Sequence, residues 1–217
     1  MQNTAFDNKN SQYYVCFKWW MLPLIKDGPN VVMDVGCAAG VMGRKLLETG
    51  KAREVFGIEI FASAAAEAAT AYKKVHVGDL EEMQLDYHES FDYVICGDIL
   101  EHLKDPYRVV RQLVIWLKPG GSLFVCVPNV RHYHVLADLV FRGKWEYVSA
   151  GVMDRTHLRF FTASSCRQML SDAGLEVYHE QMIIEGPKKT FFNRATCGLF
   201  SEFLGAQTFC CGRKSVS

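Results

Sequence analysis

The 217-residue sequence has no surplus of either charge, since 24 Lys and Arg balance 24 Asp and Glu. A general nucleic-acid binder neutralises phosphates with a basic surplus on some face, so composition argues against that partner. There is also no stretch of roughly 18 uninterrupted apolar residues, the length a membrane-spanning helix needs. The opening MQNTAFDNKN is polar rather than basic and then apolar, unlike a secretory leader. Together these absences lead to the expectation of a cytoplasmic protein without a membrane span. CxxC pairs and zinc-type Cys/His spacings are missing too, and no metal site is expected. The eight cysteines stand mostly alone, several in apolar runs, and read as small buried hydrophobes of a reducing compartment. Only Cys210 and Cys211 adjoin, in a strand whose two faces they would occupy.

What is present is an ordinary globular composition, with 49% hydrophobic and 22% charged residues, at a length that suits one α/β domain. Short apolar runs alternate with helical stretches, the rhythm of βαβ units. Strands are expected at Val31 to Gly36, Glu54 to Ile60, a run ending at Asp79, Phe91 to Asp98 and Ser122 to Asn129. Between them lie helices from Val41 to Thr49, from Ala62 to Tyr72, and from Pro106 to a Lys-Pro-Gly-Gly stop. Residues 130–160 break the rhythm and read as an insertion with one short helix, Val135 to Arg142, placed on the substrate side. A helix from Ala163 to Ala173 ends at Gly174, and two last strands, LEVYHEQMII and AQTFCCGRK, are joined by a helical segment. Residues 1–30 are expected to form an N-terminal helical cap on this single domain.

The most informative stretch is MDVGCAAGVMG at the first strand-to-helix turn, with Asp34, Gly36, Gly40 and Gly43. Glycines there let the chain bend and let a ligand approach where a Cβ would collide. The spacing GxxxGxxG differs from the dinucleotide pattern GxGxxG and suits a ligand without a pyrophosphate. Glu59 follows the second strand, where a carboxylate can take both hydroxyls of a ribose. Asp79 follows the third, where an adenine amino group can be read. Three acids at the carboxyl ends of three consecutive strands converge on one crevice if the sheet is parallel.

With these pieces in place the sequence resembles the class I S-adenosylmethionine-dependent methyltransferases. The matching segments are DVGCAAG, GIEI, GDLEEM, FDYVICGDILEHLKDP and LKPGGSLFVCVPN, in order from Val31 to Asn129. The resemblance implies a Rossmann-like α/β fold: a seven-stranded, mostly parallel sheet with an antiparallel last strand and helices on both faces. It also implies S-adenosyl-L-methionine as cofactor and S-adenosyl-L-homocysteine as product. Carried over position by position, the cofactor residues are Asp34, Gly36, Gly40, Glu59, Ile60, Asp79, Leu80, Gly97 and Asp98. Ala38 stands where glycine is usual. The pair PNVRH and DRTHLRFFT, with GKWEY between, is similar to a subgroup of bacterial enzymes that modify cell-surface sugars and natural products. In that subgroup an N-terminal aromatic pair, here Tyr13 and Tyr14, covers the cofactor.

Methyl transfer needs an acceptor held in line with the S–CH₃ bond, and a hydroxyl acceptor gains from a base near its proton. His157 is the first candidate, among Asp154, Arg155 and Arg159 and beside Phe160 and Phe161; His132 and His102 follow. Arg131, Arg142, Arg155 and Arg159 would suit a phosphate or carboxylate on the acceptor. The function expected is O-methylation of a small-molecule or glycan acceptor by a monomer or homodimer. The alternative is an inactive methyltransferase-like partner of a metabolic acyltransferase. A nicotinamide oxidoreductase is disfavoured by the missing GxGxxG.

Overall fold

A computed structural model of the chain describes residues 18–216; Tyr13, Tyr14 and most of the expected N-terminal cap lie outside the described residues. The cap's described part is a 3₁₀ turn, Trp19–Leu24. The sheet contains β1 (Val31–Val35), β2 (Glu54–Glu59), β3 (Lys74–Val77), β4 (Phe91–Gly97), β5 (Leu117–Pro128), β6 (Leu175–Ile183) and β7 (Gln207–Lys214). Its order is β3-β2-β1-β4-β5-β7-β6. The pairs from β3 across to β5 are parallel, and β7 runs antiparallel to both of its neighbours. Only β7 is therefore reversed. The topology switches beside β1, which puts a ligand crevice at the carboxyl ends of β1 and β4.

The strands in the centre are almost wholly apolar because helices cover both faces. On one face α3 (Pro106–Trp116) and α5 (Ala163–Asp172) bury Leu113, Trp116, Met169 and Leu170 against Met33, Val94 and Leu123. On the other, α1 (Val41–Glu48) and α2 (Ala62–Ala68) bury Leu46 and Ala68 with Met21 and Ile25 against Val32, Val55 and Phe124. Cys210 belongs to the first core and Cys211 to the second, as expected of strand neighbours. Local signals fix the helix starts. Asp105 caps α3 by accepting from Arg108 N at 2.9 Å, with Pro106 in the first turn. Thr162 and Ser165 form a capping box at α5, and Gly174 beyond its end takes φ +85°.

Two boundaries differ from the sequence expectation by several residues. The Lys-Pro-Gly-Gly stretch does end the helix, but it continues as the first part of β5, which begins at Leu117 rather than Ser122. Pairing with β4 is irregular between Phe91 and Tyr93, and that bulge accommodates a proline that cannot donate to the ladder. The helix after β2 stops at Ala68 instead of Tyr72, because Tyr72 turns inward to a buried hydrogen bond.

After β5 the chain forms α4 (Tyr133–Arg142), two residues earlier than expected, and an irregular segment that returns to β5 through the Asn129–Phe161 bridge. After β6 come α6 (Pro187–Ala195) and α7 (Ser201–Leu204), in the segment read as helical. Among the described residues, no helix is long and apolar enough to cross a membrane.

Candidate active site

The β1–α1 turn forms the floor of the crevice. Gly36 and Cys37 donate to Ile58 O at 2.8 and 3.0 Å, which pins the turn to the end of β2. Gly36 and Gly40 take φ of +68° and +78°, and Ala38 between them is also left-handed at +46°. An alanine accepts that conformation at a cost that glycine would avoid.

Beneath the turn lies a buried chain of polar groups with no counterpart among the motifs read along the chain. Tyr72 donates its hydroxyl to Asp34 Oδ2 at 2.6 Å and accepts from Gly43 N at 2.9 Å. Asp34 is thus spent inside the fold, tying β1 to the start of α1, and does not line the crevice mouth as its motif position suggests. Burial pushes its carboxyl up to about 7, opposed by the Tyr72 hydrogen bond and reinforced by the charge of Glu59. Gly43 is required by the same ring: a Cβ there would fall 2.3 Å from Tyr72 Cε1.

The second acid sits differently. Glu59 is buried at the end of β2, with Oε2 accepting from Ala38 N and Oε1 from Phe61 N, each at 2.9 Å. Each carboxylate oxygen keeps a further lone pair for an incoming hydroxyl. Next to it Ile60 is 57% exposed, an apolar surface at the crevice rim. Asp79 accepts from Glu81 N at 2.8 Å, and Leu80 is buried behind it. Across the switch point, Gly97 lies against Lys18, whose Cε would be 2.8 Å from a Cβ. Asp98, at φ +58°, receives Lys18 Nζ and Gln207 Nε2, each at 2.6 Å. Its carboxylate closes the edge of the crevice between β4 and β7.

The histidines divide into two groups. His102, in the 3₁₀ turn that leaves β4, and His157 stack edge to face with centroids 4.9 Å apart. His102 Nδ1 lies 3.1 Å from Thr156 O and His157 Nδ1 lies 2.9 Å from Val152 O. A carbonyl only accepts, so Nδ1 carries the proton in both rings, and the basic nitrogen of each neutral imidazole is Nε2. Glu101, His102 and His157 each bring a ligand-type atom within 4.8 Å of the others. Ligands of a tetrahedral zinc stand about 3.3 Å apart, so the trio would have to close to hold an ion. His132 belongs elsewhere, beside Tyr133 and His134 at the start of α4. Burial, then the Lys189 charge, push it down to about 4, leaving it neutral.

The profile of a methyltransferase domain family matches residues 12–180, which contain the cofactor turn, Glu59, Asp79, Asp98 and the candidate histidines. The chain belongs to the class I S-adenosylmethionine-dependent methyltransferases. Among its relatives, the ubiquinone biosynthesis O-methyltransferase of Idiomarina loihiensis is 31% identical over 175 residues, covering 74% of this chain and 67% of that protein. The protein of the same name from Rickettsia conorii is 27% identical over 194 residues, covering 85% and 63%. The chain thus spans about two thirds of the length of the curated relatives it matches. Of solved structures, a methyltransferase from Archaeoglobus fulgidus superposes with a TM-score of 0.66 at 16% identity, covering 90% of each chain. One from Mesorhizobium loti gives 0.65 at 17%, covering 91% and 97%. These two establish the fold.

S-adenosylmethionine is the cofactor of this class, and the crevice offers it the Glu59 carboxylate, whose oxygens each keep a further lone pair, and the exposed apolar side chain of Ile60. The surroundings expected for His157 are partly corrected. Asp154 turns to Thr156, accepting from its N and Oγ1, and Arg159 reaches Lys104 O. Phe161 is 2% exposed and part of the core, whereas Phe160 packs with Trp145 and Tyr147. The expected anion-binding arginines are mostly engaged too. Arg131 pairs with Glu202 and covers Phe203, and Arg142 pairs with Asp138. Tyr72, Lys18 and Gln207 went unnoticed in sequence because each acts on a group at least 38 residues away.

Proposed function

We propose that the chain transfers the S-adenosylmethionine methyl group to a hydroxyl of a small-molecule acceptor, with a sugar or sugar-like natural product as the acceptor class. What supports the hydroxyl is the His102–His157 pair, whose Nδ1 atoms donate to backbone carbonyls, which makes Nε2 the basic nitrogen of each ring. When bound, S-adenosylmethionine would supply an activated methyl group and leave as S-adenosylhomocysteine. Glu59 orients the cofactor through its ribose, and the Gly36–Gly40 turn accommodates its chain. His157 takes the acceptor proton at Nε2 as the C–O bond forms, and the Val152 carbonyl stabilises the resulting imidazolium through Nδ1–H. His102 packs against that ring and fixes its plane. Asp79, Leu80, Gly97 and Asp98 complete the proposed site as walls or secondary contacts. The subgroup likeness of PNVRH and DRTHLRFFT supports the acceptor class; the relatives' names speak for O-methylation.

The test is turnover on an acceptor panel of sugars, catechols and glycosylated metabolites, read as S-adenosylhomocysteine formed. Methyl transfer to a hydroxyl, lowered about 100-fold or more by His157→Ala, is the expected result. Cofactor binding with no transfer to any oxygen would overturn it.

A further inference from the structure

Among the described residues that leave large apolar side chains in solvent, two groups belong to connections at one edge of the sheet. The first is the segment 186–200. None of the residues of α6 is buried. Phe192 and Phe200 pack ring to ring at 5.6 Å, and beside them Phe191 and Leu199 are 74% and 76% exposed. The second is the end of α4, where Val140 is 68% and Phe141 85% exposed. Single exposed hydrophobes are ordinary, but clusters of this kind mark interaction sites.

Topology puts them on one side. β6 runs parallel to β5, so α4 and α6 both leave the carboxyl edge, and β7 starts from that edge because it is reversed. Lys189 of α6 lies over the Tyr133 ring of α4 at 5.2 Å, which joins the two connections directly. This is the edge that carries the cofactor turn and the His102–His157 pair.

Charge selects the occupant. Segment 186–200 contains Lys188, Lys189 and Arg194 and no acidic residue, while the charges near Phe141 are neutralised locally by Arg142–Asp138 and Lys144–Glu146 pairs. A second copy docking about a two-fold axis would bring both sets of these cations into one interface, with no acidic residue of the segment to meet them. An anionic lipid surface satisfies both features, taking aromatic and aliphatic side chains into its interface and cations against its headgroups. We infer that α6 and the end of α4 form a docking face for an anionic membrane surface, turning the active-site edge toward the lipid. The acceptor is then an amphipathic molecule presented at that surface. This last step rests on the methyl-transfer reading above; the docking itself does not.

Flotation of the full chain with vesicles tests the inference, comparing phosphatidylglycerol mixed equally with phosphatidylcholine against phosphatidylcholine alone. Binding to the anionic vesicles, weakened by high salt, is expected. Each cation near such a surface contributes about fivefold, so Lys188→Gln with Arg194→Gln weakens binding about 30-fold. Phe191→Ser costs about tenfold. The thermal shift with S-adenosylhomocysteine stays unchanged in all variants, which shows that they are folded. No flotation, equal flotation on neutral vesicles, or indifference to these substitutions overturns the inference. So does a concentration-dependent dimer that Phe191→Ser breaks in a chain that does not float, which assigns the face to a second copy. Failure of the methyl-transfer reading shows separately, as loss of cofactor binding or as no transfer to any hydroxyl acceptor, whether in solution or presented on vesicles.

Discussion

Replacing Asp34 by Asn tests the buried network under the cofactor turn. The substitution keeps an oxygen to accept from Tyr72, so the hydrogen bond at 2.6 Å survives and only the ionisable charge is removed. In the folded protein the Asp34 carboxyl titrates at about 7, against about 3.9 in an unfolded chain. The folded state therefore holds a proton that the unfolded state has released between those two values, and wild-type stability falls as pH rises through that window. About 3 pH units at about 1.4 kcal/mol each give a loss of about 4 kcal/mol between pH 4 and pH 7, and none above. Asp34→Asn lacks this slope. Urea unfolding of both proteins from pH 5 to pH 9 should show the variant gaining on wild type up to about pH 7 and then running parallel to it. Subtracting the two curves cancels the titrating groups that do not interact with Asp34, His132 included. Curves parallel throughout would refute the reasoning, since they would mean that the Tyr72 hydroxyl and the Gly43 amide hold Asp34 ionised despite its burial.

The other outcomes follow from single contacts. Glu59→Ala should weaken S-adenosylhomocysteine binding about 10- to 100-fold by calorimetry, the worth of hydrogen bonds to a charged group; unchanged affinity would remove Glu59 from the ribose site. His157→Ala should lower turnover about 100-fold or more while S-adenosylhomocysteine affinity stays within about twofold. Equal loss of both would make His157 a packing residue for His102. Gly43→Ala sets a methyl group into the Tyr72 ring and should destabilise the fold by about 1–3 kcal/mol, read as a lower Tm. An unchanged Tm would mean that the ring moves aside at no cost.

Much of this protein was legible in order along the chain. Strands buried on both faces write themselves as apolar runs such as VVMDV and FDYVICG, and helix starts at Asp105–Pro106 and Thr162 are set by bonds within one turn. The family motifs are legible for the same reason, because a crevice at a topological switch is assembled from short strand ends that each carry their own residue. Boundaries were less legible where a distant partner intervened: β4 pairs with Leu117 and draws the helix stop into β5, and Asp34 draws Tyr72 out of the helix after β2.

The sequence by itself determined the element order, the absence of a charge surplus, the glycine turn and the acid at Glu59, all of which depend on composition or on neighbours within a few residues. Only the tertiary structure decided what the candidate residues do with their polar atoms. It turned Asp34 from the crevice to Tyr72, separated His132 from the His102–His157 pair, and occupied Arg131 and Arg142 with Glu202 and Asp138. A hydrogen bond or ion pair formed across the fold leaves no periodic trace in the chain, because its two ends are chosen by packing. The apolar face over the active-site edge is of the same kind. Phe191 and Phe141 read in sequence as ordinary hydrophobes, and only the folded chain leaves them uncovered.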